Sequence, residues 1–279
     1  MVKIMLKRTI TAIVAVAVFI PICIFSDTFI WPTAMSILSL IAAYEMLGCI
    51  GMRKSIPVAL PSYIIGLLLP LIPLFTDESA VEKSCAVCML YLIILFTVVV
   101  FSRGKIDFMN AACAFCGIFY TAAAFTCLVL LREVGNTIYL LVFIGPWTSD
   151  TFAYLCGRMF GKHKLIPEVS PKKTVEGSIG GIIFAAIAFV LYAVIIWKMN
   201  ESAEMPNLIV FAAAGAIVSV ISQIGDLSAS VIKRRFGVKD YGFLFPGHGG
   251  VLDRFDSVLL TAPVLYILTC LPFFGGLLV

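Results

Sequence analysis

Nine stretches of roughly 20 predominantly apolar residues follow one another along this chain, each long enough for a helix to cross a bilayer. They lie near 10–25, 28–50, 58–75, 85–101, 108–131, 137–157, 178–197, 208–229 and 252–275. No soluble arrangement could cover so much apolar surface. Of the 279 residues, 61% are hydrophobic and 13% are charged, whereas a soluble domain carries about 25% charge. In lipid, backbone polar groups must bond internally, which favours helices. The expected fold is therefore all-α, a polytopic membrane protein of about nine transmembrane helices. The first run follows Lys3, Lys7 and Arg8 and could be read as a cleaved signal peptide. A retained helix is preferred, because no A-x-A-like site follows and a second run starts almost at once.

Basic residues sort by side. With the N-terminus in the cytoplasm, 17 of the 20 Lys and Arg residues fall in cytoplasmic segments, leaving Lys83, Arg132 and Lys198 outside. Asp27, Asp77, Glu78, Glu82, Glu133, Glu201 and Glu204 fall on the outer side. Nine spans then place the C-terminus outside, as the positive-inside rule requires. The nine cysteines sit in or beside apolar runs. The CxxC pairs Cys85/Cys88 and Cys113/Cys116 lack a second pair or a His at ligand spacing, so packing is the expected role. Residues 1–135 read as scaffold helices and 136–279 as the region of chemistry, with cytoplasmic loops 158–177 and 233–250.

Charge inside a membrane is costly and defaults to a functional hypothesis. In the eighth run Ser219, Gln223, Asp226, Ser230 and Lys233 recur at helical spacing and form one polar stripe. Ser and Gln alone would suit an interhelical hydrogen-bond seam; an Asp leading into Lys233-Arg234-Arg235 is harder to explain that way. The sixth run carries Asp150, Tyr154, Gly157 and Gly161 on one stripe, where small residues also serve close helix packing. Glu45 is a further buried acid, open between packing and a role. The last run opens with Asp253, Arg254, Asp256 and Ser257, in which Asp253, Asp256 and Ser257 share a face if the helix is continuous. Together with Asp226 these acids could form an oxygen-rich cation site of the kind Mg²⁺ prefers, although an acid–Arg pair at a helix start would also suit the dipole.

Two loops bring counter-charge. One runs Ser170-Pro171-Lys172-Lys173-Thr174 into Glu176-Gly177-Ser178; the other runs from Lys233 through Lys239-Asp240 to Pro246-Gly247-His248-Gly249-Gly250. Lysines, hydroxyls and free N–H groups suit phosphates. Neither loop matches GxxxxGK[ST] or GxGxxG, so a P-loop and a dinucleotide fold are excluded. His163 is read as surface; His248 is open between a contact with substrate and turn structure.

Ser230-x-x-Lys233-Arg234, Lys239-Asp240, Pro246-Gly247-His248-Gly249-Gly250 and Asp253-Arg254-x-Asp256-Ser257, at their fixed spacings, closely resemble the signature of phosphatidate cytidylyltransferases (CDP-diacylglycerol synthases). Gly225-Asp226-Leu227, Ser149-Asp150 and the Ser170–Gly177 loop look like that family too. The resemblance covers the C-terminal half by motif and the whole chain by span number and length. With no long soluble segment ahead of the first run, bacterial members are the better match, and a bacterial cytoplasmic (inner) membrane with the active site facing the cytosol is the expected location.

The resemblance implies a reaction of CTP with phosphatidate, giving CDP-diacylglycerol and pyrophosphate with Mg²⁺, and allows a monovalent cation such as K⁺ beside it. It implies Asp226, Asp253 and Asp256 as metal ligands, and Lys233, Arg254 and His248 beside them in catalysis. The substrate-binding candidates are Ser149, Asp150, Lys172, Lys173, Thr174, Glu176, Ser230, Arg234, Lys239, Asp240, Gly249 and Gly250. Expected partners are CTP, phosphatidate and membrane lipid, and no nucleic acid. Small-xxx-small patterns at Gly157/Gly161 and Gly177/Gly181 permit a homodimer and equally permit internal packing. An ion-coupled secondary transporter would spread its acids over two matched halves, and here they cluster in one. A CDP-alcohol phosphotransferase would need a D-G-x-x-A-R run, which is absent.

Overall fold

A computed structural model describes residues 2–76, 79–199, 205–247 and 249–271, with side chains from Thr11 onward apart from Ala12. His248 and the outer-side acids Asp77, Glu78, Glu201 and Glu204 lie outside the described residues, as do the side chains of Lys3, Lys7 and Arg8. The helices are α1 (Val2–Ile24), α2 (Ile30–Ile50), α3 (Ile56–Leu68), α4 (Ile72–Phe75), α5 (Ala80–Phe101), α6 (Phe108–Val134) and α7 (Leu141–Phe160). After them come strands β1 (Lys164–Ile166) and β2 (Ser170–Thr174), then α8 (Val175–Met199), α9 (Leu208–Arg235), α10 (Leu252–Phe255) and α11 (Val258–Cys270).

Each of the nine expected runs overlaps one or more of these helices, and the last is described as far as residue 271. Among the described residues, six stretches are long and apolar enough to cross a bilayer: α2, Ile56–Phe75, α5, α6, α8 and α9. Ile13–Ile24 and α11 are shorter apolar helices, and α7 carries Asp150 and Arg158 within its 20 residues. The chain is an integral membrane protein by this architecture.

Two expectations give way. The last run is not one helix: α10 ends at Phe255, and a turn at Asp256–Ser257 precedes α11. The Ser257 N–H donates to the Asp256 carboxylate at 2.8 Å. A short acid beside its own backbone competes in this way with the helix ladder. Asp253 therefore does not share one continuous helix face with Asp256 and Ser257. The loop at 158–177 is also structured: β1 and β2 pair antiparallel, with Lys164 opposite Thr174 and Ile166 opposite Ser170.

The chain forms two compact units. The first holds residues 1–130 and 233–255, the second 131–232 and 256–279. The segment 233–255 thus groups with the N-terminal helices rather than with the rest of the C-terminal half. The first unit's core packs Ala43, Leu47, Ile65, Leu69, Tyr91, Leu95 and Ile118. Tyr91 and Ser62 share a 2.7 Å hydrogen bond there, and Trp31 donates to the Leu128 carbonyl at 3.2 Å.

In the second unit α7 and α8 lie in close contact because small residues face each other. A Cβ on Gly177 would stand 2.5 Å from the Ala153 carbonyl oxygen and 3.2 Å from the Gly157 Cα. Phe152 stacks on Phe184 at 3.8 Å. The opposite face of α8 exposes Ile179, Ile183, Ile187, Leu191 and Ile195. Their four-residue spacing makes an apolar stripe suited to lipid. Gly215 on α9 lies equally close to α8, where an added Cβ would meet the Ala185 carbonyl oxygen at 2.7 Å and the Ala186 Cα at 2.9 Å. Backbone cannot step aside as a side chain can. Gly215→Val should therefore destabilise the protein by about 1–3 kcal/mol, measured by SDS-induced unfolding in mixed micelles. An unchanged unfolding midpoint would rule out this close approach.

Candidate functional site

In the first unit the site is built from the end of α9, the loop after it and α10. The basic triplet Lys233-Arg234-Arg235 occupies the last turn of α9, where cations complement the helix dipole. The helix then stops in a Schellman turn: Gly237 has φ 68°, its N–H bonds to the Arg234 carbonyl, and the Val238 N–H bonds to the Lys233 carbonyl at 3.0 Å. Glycine takes this left-handed conformation without a Cβ penalty. Arg234, Lys239 and Asp240 are exposed, Lys233 is half-buried and Arg254 is exposed.

Asp253 is the centre of this part. It is buried, and both of its oxygens are engaged. Oδ1 receives the Lys233 ammonium at 2.8 Å. Oδ2 accepts the Tyr241 N–H at 2.8 Å and the Gly250 N–H at 2.9 Å. The ammonium also lies 5.3 Å from the centre of the Tyr241 ring. Charge-assisted bonds of this kind are short and strong, and a buried acid without them would be costly. Gly249 and Gly250 close around Asp253. A Cβ at Gly249 would meet the Asp253 carboxylate at 2.7 Å, and its φ of 87° is left-handed. The Phe245 N–H donates to the Gly249 carbonyl at 2.9 Å, which draws the glycine loop together.

A residue whose role the sequence left open completes this part. Glu45 on α2 is 3% exposed. Its carboxylate accepts the Val251 N–H at 3.0 Å and the Leu252 N–H at 2.9 Å. A Cβ on either Gly242 or Gly250 would collide with it. The signal available in the sequence was an acid within an apolar run; its partners, more than 200 residues away, carried no signal.

In the second unit the polar residues of α7, α8 and α9 meet. Lys173, the fourth residue of β2, forms an ion pair with Asp226 of α9. Asp150 of α7 is exposed and within electrostatic reach of both. Gly225, next to Asp226, lies against the main chain of Asp256 and Ser257, where a Cβ would stand 2.9 Å from the Asp256 carbonyl oxygen. Asp226 and the Asp256–Ser257 turn are thus neighbours. Lys172 is exposed and Ser230 half-buried.

The rest of the stripe is a hydrogen-bond seam. Ser149 and Ser219, both fully buried, share a 2.7 Å bond. Gln223 accepts from the Ser178 hydroxyl at 2.5 Å and donates to the Ser178 carbonyl and the Ser219 hydroxyl at 3.3 Å each. Thr174 accepts the Gly177 N–H at 3.2 Å and so caps the start of α8. Glu176 accepts the Lys162 N–H at 3.1 Å and pairs with His163 Nδ1 at 2.7 Å, which ties the start of α8 to the chain ahead of β1. His163 is otherwise exposed, as expected.

Among the described residues, no group of three or more His, Cys, Asp or Glu side chains is arranged to hold a metal ion. The acids instead carry lysines: Lys233 on Asp253 and Lys173 on Asp226. Such pairs can turn anionic phosphate toward the lysine and a cation toward the acid.

Gln223 bridges α8 and α9 through two bonds to Ser178 and makes a third to Ser219 within α9, and truncating it would leave the Ser178 and Ser219 hydroxyls short of partners. Gln223→Leu should cost about 1–2 kcal/mol of stability in the same SDS unfolding measurement, and Ser149→Ala about half of that. No change in either variant would mean that the seam does not form.

Comparison with known proteins agrees with this arrangement. Residues 6–271 match the model of the cytidylyltransferase family. The chain is 36% identical over 263 residues to a phosphatidate cytidylyltransferase of Staphylococcus haemolyticus and to one of Staphylococcus aureus, covering 94% of this chain and 97% of each relative. It is 35% identical over 265 residues to that of Staphylococcus epidermidis. The matched region contains both lysine–acid pairs, the glycine loop and the helices that carry them, and the chain belongs to the cytidylyltransferase family.

Proposed function

We propose that this chain joins CTP to phosphatidate, giving CDP-diacylglycerol and pyrophosphate, at the cytosolic face of a bacterial inner membrane. One observation carries the reading: relatives that match this chain over 94% of its length are phosphatidate cytidylyltransferases. The paired acids and lysines support it, and so does the setting. Acyl chains can stay in the bilayer while a phosphate head group meets a soluble nucleotide.

In the proposed reaction an oxygen of the lipid phosphate attacks the α-phosphorus of CTP. A new P–O bond forms, the bond from the α-phosphorus to the bridging oxygen breaks, and pyrophosphate leaves with that electron pair. The attacking phosphate is already anionic near neutral pH, so no strong protein base is needed. The work left for the protein is positioning and charge neutralisation. In this reading Lys173 and Lys233 each hold phosphate once turned from its acid, and the exposed Lys172, Arg234 and Lys239 add positive charge. Ser230, Asp240 and Arg254 orient substrate in this reading. His248, assigned the same role from the sequence, lies outside the described residues.

The donor set fits magnesium. Mg²⁺ binds through one or two carboxylates, with water and substrate phosphates completing its shell, rather than in an all-protein cage. Asp226 in the second unit and Asp253 in the first are each candidates to hold it, with Asp256 third, and a monovalent cation such as K⁺ is the companion the family resemblance allows. When bound, the divalent ion would neutralise charge on the attacking and leaving oxygens.

The direct test uses purified protein in liposomes with phosphatidate, Mg²⁺ and radiolabelled CTP. Label should enter the lipid fraction only when phosphatidate is present, and EDTA should abolish it. Asp226→Asn and Asp253→Asn should each lower turnover by about 100-fold or more in protein that still inserts and elutes as a single species. Absence of labelled lipid from folded protein would sink the reading, and normal turnover in either variant would remove that acid from it.

Orientation has its own test. In a cysteine-free background, single cysteines placed in 158–177 and 233–250 should resist a membrane-impermeant thiol reagent in intact cells and react after permeabilisation. Labelling of either segment from outside would reverse the proposed topology.

A further inference from the structure

We infer that Glu45 is a positioning residue: from α2 it holds the main chain of residues 250–252 and thereby aims Asp253. The inference rests on the proposed role of Asp253 in the reaction.

The geometry is specific. Glu45 gives one oxygen to each of two consecutive N–H groups, Oε1 to Val251 and Oε2 to Leu252. The next residue is Asp253, whose Oδ2 accepts Tyr241 and Gly250. The two carboxylates together accept three consecutive N–H groups, those of residues 250, 251 and 252, and the Tyr241 N–H from the other arm of the loop. Gly242 and Gly250 both abut the Glu45 carboxylate, with no room for a Cβ at either. Arg53 is also on this side of α2; its guanidinium donates to the Tyr44 carbonyl at 3.1 Å and stacks on the Tyr44 ring at 3.7 Å.

A simpler scaffold would not use this residue. Apolar packing could bury the same surface without taking a carboxylate out of water, which is costly even when hydrogen-bonded. Direction is what the carboxylate adds. Two N–H bonds to one rigid, planar group fix the orientation of the peptide planes that lead into Asp253. Glu45 itself touches main chain, so its effect on the reaction passes through where Asp253 points.

Steady-state kinetics of Glu45→Ala and Glu45→Gln, with CTP and phosphatidate varied in turn, test this alongside thermal melting of each variant. Glu45→Ala should lose about 100-fold in kcat, the size of effect that a misplacement of about 1 Å can cause. Its KM for CTP should move less than about threefold, because no substrate contact is lost. Glu45→Gln keeps one acceptor and the side-chain shape, and should recover about tenfold of that loss. If Glu45→Ala fails to fold, Gly242→Ala presses on the same carboxylate and should reproduce the loss confined to kcat.

Wild-type kcat in a folded Glu45→Ala would overturn the inference. So would losses that merely follow the fraction of unfolded protein in every variant, or a rise in KM for CTP at constant kcat. Failure of the underlying reading shows elsewhere, as full turnover in Asp253→Asn.

Discussion

A charge taken out of water must find a partner where it lands, and the polar part of this structure is organised by that requirement. Asp253 is met by Lys233 and two main-chain N–H groups. Asp226 is met by Lys173, and Glu45 by two further N–H groups. These pairings do more than offset burial. A lysine resting on an acid is a neutral unit. Under the proposed reaction the ammonium would turn to phosphate and the carboxylate would be open to a cation, so that each charge would keep a partner.

The same requirement accounts for the way the chain divides. Residues 233–255 hold much of the family signature, yet they group with helices from the first 130 residues. Part of the reason is Glu45, which reaches the start of α10 from α2. The aromatic contact of Phe125 with Phe255 at 5.4 Å adds to it. The N-terminal half, which carries no motif of its own, is therefore more than a lipid-phase filler. It supplies the wall against which the glycine loop is set.

What could be read from the sequence follows the range of the interactions involved. Helices were legible because an apolar run of about 20 residues has few other solutions in lipid. The polar stripe on α9 was legible because its members lie within a few turns of one another. The break at Asp256–Ser257 was not, since it depends on one side chain capturing a neighbouring N–H and on Gly225 fitting beside that turn. The strand at Ser170–Thr174 was hidden for a similar reason. A five-residue basic segment has no periodicity to show, and its pairing with Lys164–Ile166 is set by the turn between them. Glu45 was visible as an anomaly, but its role was not, because the N–H groups it serves are 206 and 207 residues away.

The small residues of the second unit show how one pattern can be spent. Gly157, Gly161 and Gly177 all lie close to Thr174, and Gly181 lies against Ser149. The repeats that could have served an interface between copies are thus engaged with each other inside a single chain. Close approach of α7 and α8 in turn brings β2 down beside α9, where Lys173 reaches Asp226. The glycines therefore act on the site at one remove. They let α7 and α8 touch, and β2, which carries Lys173, leads directly into α8. The stacked rings of Phe152 and Phe184 add an apolar contact to the same helix pair, and the Ser149–Ser219 and Ser178–Gln223 bonds tie α7 and α8 in turn to α9.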